Sequence, residues 1–441
     1  MTKLDGSLLR HRHFRTLWIA GFLEDTIDWM LITAIPIFVY RMSGSAFVTS
    51  VAFLVELLPG VLVSPLAGVA ADRFDRRRLL LGCALVQATL VSLLLLVTSH
   101  DMLWLLYGVI AARATCAQFL LTAKNALLPT LVGPDQGAAA SNLVVLNSNL
   151  GRLVGSFLGG AVVAGGLVVV AVASAALLLL AAALISRIRP PAVTAHDPAP
   201  AVNPPHPRGE NTPESWWRAS VREWREGVSL LLGDRRLRAT FASMALCAVG
   251  QGLFAVLFVI FVARTLNGSD AEIGLLRSVQ GIGGIAGGLA LGALGNRLQP
   301  KPLLTWGALS FAVLAAIIWN APMLALGIGF YIGMFIVVGL PGGAYYSGVL
   351  GMIQQCVPPD YRGRALGSFY MTFNGAQALG MAAAGILGDL IGPVPLLNVQ
   401  AAFYLAAGLL TLMVVGARNT PEEHVIPAPR TPEPTARYDR Q

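Results

Sequence analysis

The sequence predicts an all-α integral membrane protein with twelve transmembrane helices arranged as two pseudo-symmetric six-helix bundles. The 441 residues are 55% hydrophobic and only 12% charged, and the mean hydropathy is +0.67. Soluble domains carry about 25% charged residues. A soluble chain of this composition would lack the polar surface to cover its core, so the excess apolar surface must face lipid. Apolar runs of about 20 residues, the length that crosses the hydrocarbon, recur along the whole chain.

An internal repeat predicts that the two bundles are related halves of one chain. The segment Gly68–Arg78 follows a long apolar run, and the segment Gly292–Lys301 echoes it in the second half. Each copy places a glycine four residues before an Asp-Arg or Asn-Arg pair. An offset of 225 positions relates an ordered series of further pairs: Asp135 and Asp360, Asn149 and Asn374, Gly155 and Gly380, and Gly160 and Gly385.

The apolar runs predict twelve spans joined by short connections. The first run is too long for a cleavable signal peptide, contains acids and lacks a small-residue cleavage site, so we expect it to be the first span. The fifth and sixth spans are separated only around Gly165 and Gly166. The predicted spans are residues 16–40, 46–70, 79–98, 102–124, 139–164, 166–187, 237–262, 271–294, 302–320, 322–350, 364–388 and 396–417.

The distribution of Lys and Arg predicts the orientation of these spans. With both termini in the cytoplasm, 26 of the 31 basic residues fall in cytoplasmic segments, and only Arg41 and Arg264 fall in outside loops. This bias follows the positive-inside rule and predicts a multi-pass protein of the bacterial inner membrane. The net charge of +8 then reflects orientation and attraction to anionic lipid, and we expect no nucleic-acid partner.

Composition divides the chain into four regions. We predict an N-terminal six-helix bundle over residues 1–189 and a C-terminal bundle over 236–417. The segment 190–235 is a Pro-rich cytoplasmic linker that includes an amphipathic surface helix, and the polar tail 418–441 is expected to be disordered. The four cysteines have neither metal-ligand spacing nor a disulfide framework, so we expect no metal and no cofactor. The apolar residues of the linker helix are Trp217, Val221, Trp224, Val228 and Leu231.

Two motifs carry a resemblance to a known family. A G-x-x-x-D-R-x-x-R-R pattern follows the second span, and a glycine pattern occupies the fifth. Both resemble transporters of the major facilitator superfamily, in particular its twelve-span drug:proton antiporter branch with macrolide-efflux and siderophore-export proteins. Ser156 stands where the fifth-span motif has Pro, and Arg113 matches the arginine of the fourth-span motif without its following Gly. The matching residues are Gly68, Asp72, Arg73, Arg76 and Arg77, and Gly151, Gly155, Gly159 and Gly160.

The resemblance implies roles for both motifs. Asp72 and the arginines after it would form a conformational gate that docks near the start of the eleventh span, at Arg362–Leu366. A carboxylate at a helix N-terminus is stabilised by about 0.3–1 kcal/mol, so this contact could form in one state and break in the other. The alternative is that these basic residues only set the topology. The glycine stripe would allow close packing of neighbouring helices, with or without a role in transport.

Acids within the predicted spans are the candidate functional residues. Glu24, Asp25 and Asp28 share one face of the first span, and Glu56 lies in the second. Each charge costs about 2.5–3.5 kcal/mol at the bilayer centre, so the acids must face a wet cavity, pair with a cation or be protonated. Carboxylates in a low-dielectric cavity could take up and release protons near neutral pH. A static pair that only stabilises the bundle is the alternative.

The remaining candidates are polar residues in the fourth, fifth and eleventh spans. Arg113 and Arg152 are the nearest candidate partners for the acids. Asn149 and Arg152 form one polar helical turn, which Asn374 and Gln377 match in the second half. Two symmetry-related turns facing one central cavity would suit a substrate site.

These observations predict a secondary active exporter that works by alternating access and exchanges an amphipathic small molecule for protons. A drug, an antimicrobial or a siderophore-like metabolite would be the substrate, and the protein is expected to be a monomer in contact with membrane lipids. Alternatives are an importer or lipid transporter on the same fold, or a membrane sensor or scaffold that transports nothing. The sequence contains no nucleotide-binding loop of the G-x-x-x-x-G-K type, no metal-ligand cluster and no credible catalytic triad, so we expect neither an enzyme nor catalytic residues.

Overall fold

The computed structural model describes residues 10–132, 136–188, 234–294 and 298–416. Within these ranges it contains twelve long α-helices and no strand. The predicted linker with its amphipathic helix and the predicted tail lie outside the described residues, apart from the first residues of the helix that follows the linker. The twelve helices are α1 Arg12–Ser43, α2 Ala46–Arg73, α3 Arg76–Ser92, α4 Leu103–Val132, α5 Gly137–Val163, α6 Leu167–Ser186, α7 Arg235–Ile260, α8 Asp270–Leu294, α9 Pro300–Asn320, α10 Ile328–Cys356, α11 Arg362–Ile391 and α12 Pro393–Gly416.

Eight of these helices are long and apolar enough to cross a membrane by length and composition. The other four among the described helices are α1, α5, α8 and α11, whose sequences carry intramembrane charges or many Gly and polar residues. These less apolar helices pack against each other or across the two halves. The predicted all-α, twelve-span fold class is confirmed.

Helix ends follow local side-chain chemistry. Ser45 caps α2 by accepting from the Phe47 backbone N–H, and Asp75 caps α3 by accepting from Arg78 N–H at 2.8 Å. Asp234 caps α7 through two backbone N–H groups. Short polar side chains stabilise helix starts because they accept from N–H groups that have no partner within the helix.

The bounds of α4 and α10 differ from the predicted spans by six to eight residues. The helix α4 continues to Val132 rather than ending at Lys124, and α10 runs from Ile328 to Cys356 rather than over 322–350. A 3₁₀ turn at Ala321–Leu324 closes α9 and takes the residues that begin the predicted tenth span. Apolar sequence continues across both boundaries, so hydropathy alone does not reveal where the helix stops.

The helices pack with the same pattern in each half. In the first half α1 packs on α5 and α6, α2 on α4, and α3 on α4 and α6. In the second half α7 packs on α11 and α12, α8 on α10, and α9 on α10 and α12. The halves meet through α5 against α8 and through α2 against α11. The internal repeat of the sequence therefore corresponds to a repeat of helix contacts.

Glycines allow the closest of these contacts. A Cβ at Gly155 would lie 2.3 Å from the Thr26 carbonyl oxygen, so α5 lies directly on the α1 backbone. Across the halves, a Cβ at Gly160 would lie 2.6 Å from the Cα of Gly274. Small residues let helix backbones approach in this way inside a membrane.

The two halves touch at one end of the bundle and separate at the other. We call the end where α2 meets α3 the basic face, because it carries Arg73 and Arg76–Arg78, and the end where α1 meets α2 the far face. At the far face, Ser45 Oγ donates to Asp389 Oδ2 at 2.8 Å, and Arg41 pairs with Asp270 at 2.8 Å.

Contacts between the halves are missing near the basic face at the glycines that the structure describes there. A Cβ at Gly68 on α2, at Gly292 on α8, or at Gly363 and Gly367 on α11 would meet nothing within 4 Å. The helix pairs that join the halves therefore diverge toward the basic face, and the space between them opens to that side.

Candidate functional site

A cavity of about 1110 Å³ lies between the two halves, and we call it the central cavity. Ligand pockets in proteins have volumes of about 300–1,000 Å³, so a drug-sized molecule fits here. The first half supplies most of the ionisable lining and the second half supplies a wall with fewer charges. The charged and main polar lining residues are Glu24, Asp25, Asp28, Glu56, Gln87, Arg113, Gln118 and Lys124 from the first half, and Arg277, Tyr370, Asn374 and Gln377 from the second.

Arg113 joins three helices of the first half. Its Nη1 donates to Asp28 Oδ1 on α1 at 2.5 Å, and its Nη2 donates to Glu56 Oε1 on α2. The arginine is 1% exposed, and both of its terminal nitrogens are bound to carboxylates. The planar guanidinium suits two carboxylates held in fixed positions. This arrangement therefore fixes α1, α2 and α4 relative to one another beside the cavity.

Lys124 pairs with Asp25 on the other side of the acid cluster. The Lys124 Nζ lies 3.3 Å from Asp25 Oδ1, and the lysine is 8% exposed. The sequence prediction ended the fourth span at this residue and counted it as a loop charge. Because α4 continues for two further turns to Val132, Lys124 lies inside the bundle. The apolar residues after Lys124 were the signal that could have revealed it.

Glu24 differs from the other acids of the cavity because it has no cation partner. No Lys, Arg or His nitrogen of the described residues lies within 4.0 Å of its carboxylate. Its Oε1 is buried without a hydrogen bond, and the residue is 6% exposed. A buried charge without a partner is costly, so this carboxylate requires a proton, a ligand or a moving cation to become neutral.

The polar turn of α5 occupies a different position from the one predicted. Asn149 and Arg152 are not among the residues that line the central cavity. Both face α8, where a Cβ at Gly284 would lie 2.8 Å from Arg152 Nη2 and 3.8 Å from Asn149 Oδ1. The Arg152 guanidinium lies 5.7 Å from the Trp29 ring centroid. The rotation of α5 about its axis, which an apolar sequence does not specify, accounts for the difference.

The matching turn of α11 does line the cavity, through Asn374 and Gln377. Beside it, the hydroxyls of Tyr346 and Tyr370 lie 2.6 Å apart and tie α10 to α11. Arg277 on α8 also lines the cavity, and its guanidinium lies 5.8 Å from the Phe53 ring centroid. Amide, phenol and guanidinium groups from the second half thus face the acids of the first.

The residues predicted to form a conformational gate lie at the basic face, around the turn between α2 and α3. Arg73 is exposed, Arg76 Nη1 donates to the Ala126 carbonyl at 2.8 Å, and Arg77 donates to the Ser186 carbonyl. These two arginines therefore hold the turn against α4 and α6 of the same half. The Asp72 side chain lies outside the described part of the chain. Gly68 has open space on its α2 face.

The glycines of the fifth-span motif lie at two interfaces. Gly151, Gly155 and Gly159 contact α1, where added Cβ atoms would lie 2.3–2.6 Å from α1 atoms. Gly160 instead contacts α8 across the halves. The motif therefore brings α5 close to α1 within the first half and close to α8 in the second.

A model of the Major Facilitator Superfamily matches residues 17–260 and 240–438. The chain belongs to the Major Facilitator Superfamily. Like the other proteins of this superfamily it is a multi-pass membrane transporter of a small molecule, surrounded by lipid, and not an enzyme.

Several relatives are similar over most of their length. The chain is 25% identical over 412 residues to the uncharacterized MFS-type transporter YfiS of Bacillus subtilis, covering 90% of this chain and 92% of the relative. It is 24% identical to macrolide efflux protein A of Streptococcus pyogenes, covering 86% and 90%. It is 26% identical to the enterobactin exporter EntS of Salmonella choleraesuis, covering 95% and 97%.

Solved structures agree on the fold. The nucleoside transporter NupG superposes with a TM-score of 0.71 at 14% identity, covering 91% of this chain and 99% of that one. A bacterial homologue of the iron transporter ferroportin, in an inward-facing state, superposes with a TM-score of 0.67 at 15% identity, covering 93% and 100%. At these identities the likeness concerns the fold alone.

Proposed function

We propose that this transporter exports an amphipathic organic molecule in exchange for protons by alternating access. The single observation that carries the proposal is the central cavity, which opens toward the basic face and exposes an acid-rich wall that includes the unpaired Glu24. The relatives named for macrolide efflux and for enterobactin export support the outward direction.

The orientation follows from the charges. We take the basic face as cytoplasmic, with both termini on that side of the bacterial inner membrane, because Lys and Arg concentrate in its segments. The cavity then opens to the cytoplasm, and this is the state that loads an export substrate. The protein is proposed to act as a monomer, because one chain encloses the whole cavity.

The proposed cycle uses the acids as proton carriers. Protons bound to the cavity acids leave to the cytoplasm while the substrate enters, and the apolar and aromatic parts of the cavity bind the substrate scaffold. The halves then rock so that the cavity opens outward, and protons from outside displace the substrate. Glu24, Asp25, Asp28 and Glu56 are the proposed proton-coupling groups, and Asn374 and Gln377 contact substrate from the second half.

Other residues are proposed to serve the movement between states. In the outward-open state Gly68, Asp72, Arg73, Arg76 and Arg77 form the cytoplasmic gate against the start of α11. Asn149 and Arg152 act at the α5–α8 contact, where the halves must slide, rather than as substrate ligands. Gly151, Gly155, Gly159 and Gly160 keep the backbones close during that movement.

A transport assay tests this function. Full-length protein is reconstituted in liposomes with an imposed pH gradient, and a panel of amphipathic compounds, including a macrolide and a catecholate siderophore, is offered. We expect at least one compound to move against its gradient as protons move the other way. Glu24→Gln and Asp28→Asn should abolish the proton-driven component while folded protein is retained.

Three outcomes contradict the proposal. Transport that is indifferent to the pH gradient in the unmodified protein rules out proton exchange. Proton-driven transport that survives unchanged in both variants removes these acids from the mechanism. Accumulation that follows the proton gradient in the same direction would identify an importer instead.

A further inference from the structure

We propose that Lys124 is a mobile counter-ion shared by Asp25 and Glu24, and that its ammonium moves from Asp25 to Glu24 when Glu24 loses its proton. Lys124 is then a positioning residue that sets when Glu24 binds and releases the proton. The inference rests on the proposed proton exchange. It assigns a function to a cation that is not part of the motifs in the sequence.

The two cavity cations from the first half, Arg113 and Lys124, differ in how they are bound. Arg113 has both terminal nitrogens bound to carboxylates, one from α1 and one from α2. Among the described residues Lys124 has one polar partner, Asp25 at 3.3 Å, although an ammonium carries three donors. An ammonium on a four-carbon stem also changes position more readily than a doubly bound guanidinium. Lys124 is therefore the cation that is free to change its partner.

The acid adjacent to Asp25 lacks a partner in the described part of the chain. Glu24 and Asp25 are consecutive residues of α1, and Glu24 Oε1 is buried without a hydrogen bond. The Lys124 ammonium is bound to the residue next to Glu24, and no ion pair joins it to Glu24 itself in the described part of the chain. If Glu24 became charged without any movement, it would be a buried carboxylate with no bound cation. Moving the ammonium to the neighbouring acid relieves that cost.

The surroundings of Lys124 leave room for this movement. Its side chain lines the central cavity on one side and a pocket of about 10 Å³ on the other. A Cβ at Gly21 would lie 3.7 Å from Lys124 Nζ, so the glycine makes space beside the ammonium. Asn147 lines the same pocket, and its Oδ1 is buried without a partner. That oxygen offers an acceptor to an ammonium in transit or to a single water.

The ionisable groups to consider around Glu24 come from six helices. The helix α6, which also packs on α1, contributes none among its residues Leu167–Ser186. The groups to consider are Asp25 and Asp28 on α1, Glu56 on α2, Cys83 on α3, Arg113, Cys116 and Lys124 on α4, Arg152 on α5 and Arg277 on α8. Arg113 is already bound to Asp28 and Glu56, whereas the guanidinium of Arg152 lies over the Trp29 ring and that of Arg277 over the Phe53 ring. Lys124 is therefore the cation in position to pair with an ionised Glu24.

The test measures the proton on Glu24 directly, without substrate. Full-length protein is titrated with pH while infrared difference spectra record the protonated carboxyl bands. The band that Glu24→Gln removes belongs to Glu24. In Lys124→Gln we expect its midpoint to rise by about one pH unit or more, because the carboxylate loses its cation. In Asp25→Asn we expect the midpoint to fall, because the ammonium is then free for Glu24.

Lys124→Arg is the matched control, since it keeps the charge and should keep the midpoint near that of the unmodified protein. If the lysine stays on Asp25, the carboxylate band that Asp25→Asn removes keeps its frequency while Glu24 titrates, and that result overturns the proposal. The proposal is also overturned if every titrating band of the unmodified protein is still present in Glu24→Gln, because Glu24 then does not titrate. If Lys124→Gln does not fold, the Asp25 carboxylate band of the unmodified protein decides.

The spectra separate this inference from the proposed function. A midpoint that depends on Lys124 in a protein that shows no proton-driven transport would refute the function and keep the counter-ion. Proton-driven transport with a Glu24 midpoint independent of Lys124 would support the proposed function and refute the counter-ion.

Discussion

One physical constraint, the cost of charge inside a membrane, determines where the charged residues of this transporter can lie. That cost identifies the four acids of α1 and α2 from the sequence alone, because each must face something other than lipid. It does not identify the partner of each acid. Partner choice depends on how each helix is rotated, and Asn149 and Arg152 face α8 rather than the central cavity for this reason.

Lys124 is a charged residue whose place inside the bundle the sequence does not reveal. A lysine at the edge of an apolar run is indistinguishable from a loop charge when the end of the helix is unknown. Only the continuation of α4 to Val132 brings the ammonium beside Asp25. The sequence therefore predicts which charges require an explanation, and the packing supplies the pairs.

Arg113 gives the first residue-scale prediction for stability. Arg113→Met leaves the Asp28 and Glu56 carboxylates, 38% and 22% exposed at the cavity wall, side by side without their cation, and losing hydrogen bonds to a charged group costs about 1.5–3 kcal/mol. We expect a large fall in the thermal unfolding midpoint of the purified protein. The matched control is Arg113→Met combined with Asp28→Asn and Glu56→Gln, which removes all three charges and should recover most of the stability. An unfolding midpoint of Arg113→Met equal to that of the unmodified protein contradicts this account of the triad.

At the scale of the helix, the glycine pattern of α5 has a direct structural meaning. Its regular spacing in the sequence predicts close packing, and Gly151, Gly155 and Gly159 indeed lie on the α1 backbone. The sequence does not reveal that Gly160 turns to α8 instead. Helix ends are also hard to predict, as α10 shows, since apolar residues fill both the 3₁₀ turn after α9 and the helix itself.

At the scale of the helix, alanine is predicted to change the stability in opposite directions at two glycines. One of them lies in the α1–α5 contact and the other on α4. Gly155→Ala places a methyl group 2.3 Å from the Thr26 carbonyl oxygen, so the helices must separate, at a cost of about 1–3 kcal/mol. Gly108→Ala lies on α4 with open space around it, and alanine in a helix stabilises by about 0.5–1 kcal/mol relative to glycine. Thermal unfolding should therefore shift downward for the first variant and upward for the second. A shift of the same sign in both would mean that the α1–α5 approach is not tight.

At the scale of the whole molecule, the repeat in the sequence predicts the paired packing of the two halves, and the fold has it. The conformational state could not be predicted, because one sequence must encode both the state that opens to the basic face and the state that opens to the far face. The difference between them lies in contacts between the halves. Asp389 and Arg264 of the second half, which make these contacts at the far face, belong to no motif that we identified.

The far face is closed by charged side chains of one half bound to helix ends of the other. Asp389 at the end of α11 accepts from the Ala46 N–H at 2.9 Å and from Ser45 Oγ at 2.8 Å, at the positive N-terminus of α2. Arg264 Nη2 donates to the Gly44 carbonyl at 2.5 Å, at the C-terminus of α1. Each charge has the sign that the helix end favours. These contacts stabilise the state described here and must break when the far face opens.

Removing one of these contacts should therefore change the balance of states. Hydrogen bonds to a charged group contribute about 1.5–3 kcal/mol, so Asp389→Ala should raise the population open at the far face tenfold or more. Spin labels at Val69 on α2 and Gly363 on α11, in a variant without the four native cysteines, report the closing of the basic face as shorter distances. Glu272→Ala is the control, because Glu272 also caps a helix start at the far face but bonds to Ser269 of its own half. We expect Asp389→Ala, and not Glu272→Ala, to shift the distances. Equal distance distributions in both variants would show that the contacts of Asp389 with Ser45 and Ala46 do not hold the far face closed.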